Sequence, residues 1–387
     1  MTYLSRPLHS LQTGRWFKLI CGASYHHLPE IRNLALAYTL AGADCVDVAA
    51  DPAVISTARE GLQMARSIVP EQFAEPADLP LLMVSLNDGE DPHFRKATLD
   101  PSLCPADCPR PCVSICPAQA LNFSLGVAKF SSLLEQRCYG CGRCLPVCPI
   151  DQIGTRSQSA SPQTIAPLVL AGVVQAIEIH TQVGRAAEFD RLWQQLAPLK
   201  PDLKLLAISC GDGEGLVEYL WHLWHRVSPP QDPLPCPLIW QTDGRPMSGD
   251  IGDGATRQTV KLGARVLAAH LPGYVQLAGG TNDHTVAKLA NMGLLHPSQL
   301  VSSPAPPHRS QRYISGVAYG SFARVLFSPI QTQLEQLATH WLEESPVLLH
   351  KAVHLAHTLV DQIKFPLTLD PPPAPTDLSI PSPVPRC

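Results

Sequence analysis

VVQAIEIHTQVGRAAEFDRLWQQLAPLKPDLKLLAIS, residues 173–209, decides the architecture. VVQAIEI (173–179) and KLLAIS (204–209) are short, largely apolar runs, and EFDRLWQQLA between them has helical spacing. A continuous apolar run suits a strand covered on both faces, as in a parallel sheet, and the helix is its crossover. Working outward, the unit recurs. KLICGA (18–23), CVDVAA (45–50), LLMVSL (81–86), PLIWQT (237–242), YVQLAG (274–279) and ISGVAYG (314–320) bring the strands to eight. LPEIRNLALAYTLAG, AVISTAREGLQMA, EGLVEYLWHLWH and TRQTVKLGARVLAAH are among the helices between, and SPIQTQLEQLATHWLEE follows the last strand. Eight alternations predict an α/β fold, a TIM-like (β/α)8 barrel; a doubly wound open sheet is the alternative.

The series is broken once, between Leu86 and Val173, by two cysteine runs. CYGCGRCLPVCP (138–149) spaces Cys138, Cys141, Cys144 and Cys148 as x2, x2, x3 and ends in Pro149. That is the bacterial ferredoxin pattern, in which three thiolates serve one iron–sulfur cluster and the cysteine before proline serves the other. Zinc takes CxxC pairs two and two, and fits this run less well. CPADCPRPCVSICP (104–117) supplies Cys104, Cys108, Cys112 and Cys116, and CPAQAL after it parallels CPIDQI after the second run. The count closes on two clusters of the 4Fe–4S type. One takes Cys138, Cys141, Cys144 and Cys116; the other takes Cys104, Cys108, Cys112 and Cys148. The first run is spaced x3, x3, x3 and stiffened by Pro105, Pro109 and Pro111. Its cluster is therefore expected to be the more labile one, or of the 3Fe–4S type.

The expected organisation is residues 1–92 for the first part of the barrel and 93–158 for a ferredoxin-like α+β insert carrying two clusters. Residues 159–362 form the rest of the barrel, and 363–387 a proline-rich disordered tail. An insert in the third βα loop lies on the C-terminal rim, where barrels hold their ligands.

Totals narrow the class. The chain has 387 residues, 45% of them hydrophobic, and a formal net charge of −4, so nucleic acid and anionic membrane are poor partners. The opening residues lack an apolar signal region, and IAPLVLAGVVQAIEI is too short and too polar to span a membrane. A cytoplasmic, reducing location is expected, where dense cysteines mean metal more often than disulfides. Cys21, Cys45 and Cys210 lie in or beside strands and read as small core residues. Trp221, His222, Trp224 and His225 read as helix packing, and Asp47 as a satisfied structural acid.

The strand ends offer Ser24, Tyr25, His26, Asp51, Asn87, Asp88, Glu178, His180, Asp212, Asp243, Thr281, Asn282, Tyr319 and Arg324 as rim groups. Gly279 and Gly280 after the seventh strand, with Gly320 and Ser321 after the eighth, stand where barrels often bind phosphate on backbone N–H groups. Tight turns would need the same glycines. IGDGATRQ (251–258) is equally ambiguous and is not a P-loop.

FKLICGASYHHLPEIRNLALAYTLAGADCVDVAADPAV (17–54), both cysteine runs, AIEIHTQVGR, VQLAGGTNDHTV and ISGVAYGSFARV together resemble the cyanobacterial light-dependent period modulator family, LdpA. The resemblance runs to about residue 362 and omits the tail. It implies an iron–sulfur protein that senses redox state set by light and adjusts circadian period, in association with KaiA and the clock's sensor histidine kinases. It implies the eight run cysteines as ligands. Three functions follow as expectations: a redox sensor; an oxidoreductase passing electrons to a flavin or phosphate-bearing ligand at the barrel mouth; or a plain carrier exchanging electrons with redox partners, for which the barrel is excessive.

Overall fold

The eight expected runs close into one parallel barrel in the computed structural model, which describes residues 5–365 except 74, 76–77, 90, 124–132, 158–159, 246–254 and 298–311. Its strands are β1 (Trp16–Gly22), β2 (Cys45–Ala49), β3 (Leu81–Asn87), β6 (Ala176–Thr181), β7 (Leu205–Gly211), β8 (Leu238–Asp243), β9 (Tyr274–Ala278) and β10 (Gly316–Tyr319). They are hydrogen-bonded in the cyclic order β1-β10-β9-β8-β7-β6-β3-β2. The remaining pair, β4 (Arg95–Thr98) and β5 (Gly154–Ser157), is antiparallel and closes the neck of the cysteine-rich insert. The helices are α1 (Arg6–Gln12), α2 (Leu28–Leu40), α3 (Pro52–Ile68), α4 (Pro111–Ile115), α5 (Pro162–Leu170), α6 (Ala186–Leu196), α7 (Leu216–Val227), α8 (Ala255–Ala268), α9 (Thr285–Asn291), α10 (Ser321–Gln336) and α11 (Pro346–Lys364).

The fourth barrel strand starts later than its apolar run. The N–H groups of Val173 and Val174 both turn back to the Leu168 carbonyl, and Gly172 sits at φ 67°. The turn that ends α5 thus consumes two residues of the run. No helix among the described residues is long and apolar enough to cross a membrane.

Side chains fill the barrel in layers. The floor is apolar: Trp16, Cys45, Leu81, Met83, Ala176, Leu205, Ala207 and Ile239, plugged by Leu11 of α1. Above it the layer is polar, with Lys18, Asp47, Ser85, Glu178, Ser209, Gln241 and Gln276 at 3% exposure or less. Outside the sheet, the second core joins strands to helices. There Tyr319 stacks on Phe17 at 5.2 Å, and Cys21 and Cys210 are buried as expected. The insert has its own small core of Ala97, Cys112, Ala120, Leu121, Leu133, Cys138, Cys144 and Ile153. Most of the proline-rich tail, and the IGDG of IGDGATRQ, lie outside the described residues.

Candidate iron–sulfur centre and barrel mouth

The two cysteine runs fold as halves of one repeat. The Ala120 N–H meets Cys116 Sγ at 3.3 Å, and the Gln152 N–H meets Cys148 Sγ at 3.3 Å. Gln119 and Asp151, each three residues after its cysteine, both adopt φ 48°. The kinship of CPAQAL and CPIDQI is thus a shared turn. The loops before these turns differ. The second run bends on Gly140 and Gly142, at φ 67° and 78°. The first has no glycine and uses Arg110 at φ 51°, its guanidinium over the Phe123 ring at 4.6 Å.

The thiols influence one another in two crossed sets. Burial, then Cys141, Cys138 and Cys116, pushes Cys144 up to about 12. Burial also raises Cys141, with Cys116 and Cys138 adding to it. Cys112 is raised by burial and by Cys148, Cys104 and Cys108; Cys104 is raised by burial, Cys108 and Cys148. Cys116, Cys138, Cys141 and Cys144 line one cavity with Ala97, Ala118, Ala120, Leu121 and Leu133. Four thiols crowded in an apolar cavity call for a cationic group that holds them as thiolates. Among the described residues, the one trio of His, Cys, Asp or Glu ligand atoms lying within 4.8 Å of one another contains no cysteine. A single zinc, at about 2.3 Å from each sulfur, would draw them to roughly 3.8 Å. The donor set suits a larger, multi-iron group.

The first tetrad opens onto the barrel. Cys141 and Tyr139 line a cavity at the strand C-termini together with Gly279, Gly280, Thr281, Gly320, Ser321, Asp243, Arg245 and Arg324. The four residues read from the sequence as a phosphate cradle therefore meet there. Their glycines have backbone reasons as well. Gly279 has φ 63°, and a Cβ on it would stand 1.9 Å from Asp243 Oδ1. Arg324 donates from Nη1 to the Ile20 and Cys21 carbonyls, each at 2.8 Å, and lies 3.9 Å over the Tyr139 ring. Its buried Nε has no partner. Arg245 donates to the Gly140 carbonyl of the cysteine loop.

Below the mouth, a polar chain runs down the barrel axis. Lys18 Nζ lies 2.9 Å from Asp47 Oδ2, pairs with Glu178, and donates to Gln241 Oε1 at 3.0 Å. Ser85 Oγ donates to Asp47 at 2.9 Å, and Gln276 Nε2 to Gln241 Oε1 at 2.5 Å. Glu178 Oε1 reaches His180 Nε2 at 2.7 Å. Burial alone would lower Lys18, but Asp47 and Glu178 hold its ammonium above the ordinary value. Burial would raise Glu178, but Lys18 and His180 bring it down to about 2.

Several expected rim groups serve elsewhere. Asp51 caps α3, accepting from the N–H groups of Ala53 and Val54. Tyr319 faces the outer core, whereas Asp212 stays at the rim, pairing with Arg265 and lining a cavity with His93 and His180. Asp88 is held by Arg185, and Tyr25 donates to Glu30. Asp47 is satisfied as expected, yet as one member of an interior ionic chain. Lys18, Ser85, Asp91, His93, Gln241, Arg245 and Gln276 were not anticipated. Polar residues at inward positions of otherwise apolar strands are the signal that could have found Lys18, Ser85, Gln241 and Gln276.

A (β/α)8 barrel with a cysteine-rich insert at its mouth, built on a ferredoxin repeat, defines an iron–sulfur protein. Residues 104–159 match the LdpA Fe-S cluster-binding domain and residues 168–362 the Light dependent period A C-terminal domain. The chain is 49% identical to "Light dependent period A" of Synechococcus elongatus over 362 residues, 93% of this chain and 94% of that protein. It belongs to the light dependent period A family. Among solved structures it is similar to Mycobacterium tuberculosis tryptophan synthase, at 11% identity, 94% of this chain, 100% of that chain and TM-score 0.42. It is also similar to (S)-3-O-geranylgeranylglyceryl phosphate synthase of Thermoplasma acidophilum, at 10% identity, 94% and 99% coverage and TM-score 0.30. Both likenesses are too slight to bear on function.

Proposed function

We propose that this protein is a redox sensor that relays light-dependent cellular redox state to the circadian clock and so modulates its period. Its groups would be two 4Fe–4S clusters, held by Cys116, Cys138, Cys141 and Cys144 and by Cys104, Cys108, Cys112 and Cys148. Such groups supply one-electron transfer. The observation that supports the reading is that Cys116, Cys138, Cys141 and Cys144, from both runs, line one apolar cavity, and Cys141 also lines the cavity at the barrel mouth. The chain's own part is to couple insert and barrel. Arg245 grips the Gly140 carbonyl, Arg324 lies on Tyr139, and the His26 N–H donates to the Gln136 carbonyl at 3.1 Å. Arg137 pairs with Glu335 of α10 at 2.6 Å. A sensor needs such a contact set to bias partner binding. Leu103, Val113, Ile115 and Ile150, all on the insert, are exposed apolar chains, which suits transient docking of a protein or redox carrier. KaiA and the clock's sensor histidine kinases are the partners the family resemblance implies.

The test combines iron and sulfide counting and EPR of anaerobically prepared protein with clock-protein binding at set potentials. The reading expects two clusters per chain and redox-dependent binding that Cys116→Ser and Cys148→Ser abolish. Zinc in place of iron, or binding indifferent to potential, would overturn it. A second reading, an oxidoreductase, is supported by one observation: Cys141 shares a cavity with Gly279, Gly280, Gly320, Ser321 and the unpaired Arg324 Nε. A flavin or phosphate-bearing molecule released from purified protein would favour it.

A further inference from the structure

The structure assigns to the barrel mouth a mononuclear site for a divalent transition metal, separate from the cysteines, with Asp91, His93 and His180 as ligands. One ligand atom from each lies within 4.8 Å of the others. His180 ends β6, while Asp91 and His93 belong to the segment that leaves β3 for the insert. Two imidazoles and a carboxylate on one side of an ion, with the other side open, form a common protein site for such metals.

The ring orientations argue for a metal more strongly than the cluster alone. Both histidines turn Nδ1 to the same carboxylate: His93 Nδ1 is 2.9 Å from Asp91 Oδ1, and His180 Nδ1 is 3.7 Å from Asp91 Oδ2. Both give Nε2 to a further acid. His180 Nε2 meets Glu178 Oε1 at 2.7 Å, and His93 Nε2 meets Asp243 Oδ2 at 3.3 Å. A ligating histidine characteristically donates its second N–H to a carboxylate, which fixes the tautomer and aims the free nitrogen. Here that device occurs twice, converging on one point. Ligand atoms about 2.0–2.1 Å from a tetrahedral ion stand roughly 3.3 Å apart. The two separations bracket that value.

Charge leads to the same place. The chain of contacts holds four carboxylates, Asp47, Glu178, Asp91 and Asp243, against the fixed cations Lys18 and Arg245. A dication held by neutral imidazoles would balance the two acids in excess, taking the place of the protons the histidines carry without it. The third side is open: Asp91, His93 and His180 line a cavity of about 660 Å³ with Ser209, Asp243 and Arg245. A water or an oxygen-donor ligand has room to complete the coordination there.

Mn²⁺ titration of full-length, cluster-loaded protein tests this, followed by the free-ion EPR signal, with Zn²⁺ as competitor. One saturable Mn²⁺ per chain, displaced by Zn²⁺, is expected. His93→Ala and Asp91→Asn should each weaken it at least tenfold while iron and sulfide content stay unchanged. Cys116→Ser should leave the Mn²⁺ stoichiometry intact, which separates this site from the cluster reading. Wild-type protein that takes up no Mn²⁺ or Zn²⁺ beyond its clusters, or His93→Ala that binds as wild type does, would overturn the assignment. His93 is half-buried, so its variant is the gentler one. The wild-type titration decides even if a variant fails to fold.

Discussion

Replacing Lys18 with methionine isolates the barrel's ionic centre. Lys18 is fully buried, 2.9 Å from Asp47 and paired also with Glu178. At an effective dielectric of about 20, one contact at this distance is worth ~6 kcal/mol of attraction. Desolvation of each ion consumes several kcal/mol of that, so the intact triad contributes little net. Removing only the cation is different. Methionine fills the volume, but Asp47 and Glu178 keep their desolvation without their counter-ion. Breaking a buried pair this way costs about 3–5 kcal/mol. For a fold of this size each kcal/mol shifts Tm by roughly 1.3 °C, so a fall of ~4–7 °C is expected. Urea and thermal unfolding by tryptophan fluorescence, on samples matched for iron and sulfide, measure it. Lys18→Met/Asp47→Asn removes one of the two stranded charges and should recover ~1–3 kcal/mol, a coupling a double-mutant cycle reads directly. A single mutant within ~1 kcal/mol of wild type, or a strictly additive double mutant, would refute the reasoning.

Arg245→Ala cuts the tie between barrel and cysteine loop at the Gly140 carbonyl. A lost charged hydrogen bond of ~1.5–3 kcal/mol should speed oxidant bleaching of the iron–sulfur absorbance by about ten- to a hundredfold; an unchanged rate would show the tie idle. Gly279→Ala and Gly172→Ala form a matched pair, with φ 63° and 67°. A Cβ on Gly279 meets Asp243 at 1.9 Å, whereas one on Gly172 meets nothing within 4 Å. Urea unfolding should show ~1–2 kcal/mol lost at Gly172 and clearly more at Gly279; equal losses would mean the turn yields freely. His26 is depressed below its ordinary 6.5 by burial and by Lys96, against the opposing Ser24 carbonyl and Asp51. The unfolded chain then takes up the proton more readily, so stability present above about pH 6.5 is lost on acidification. His26→Gln should flatten stability between pH 7.5 and 5.5, and a slope as steep as wild type would exclude His26 as its source.

The barrel was legible because its strands are largely apolar runs that alternate eight times with helical segments, as buried parallel strands and their crossovers do. The cysteine runs were legible because ligand spacing is set by the cluster and not by the fold. The axial ionic chain was hidden. Lys18 opens KLICGA and looks like a flanking charge, and its partner Glu178 lies 160 residues away. Asp91 and His93 sit in the approach to the insert, with no periodicity to mark them. Pairings across a closed barrel depend on register between strands distant in sequence, which one strand's pattern does not carry. Asp51 misled for the converse reason. An acid after a strand also opens the next helix, and there it caps the helix.

The neck of the insert has a topological consequence. β3 and β6 bond directly, Met83 beside Ala176 and Asn87 beside His180, while β4 and β5 lie antiparallel just outside. The chain departs and returns through adjoining doorways, leaving no gap in the sheet. The cysteine-rich module is thus a graft on an uninterrupted cylinder, and its evolutionary exchange for another module need not reopen the stave joints beneath.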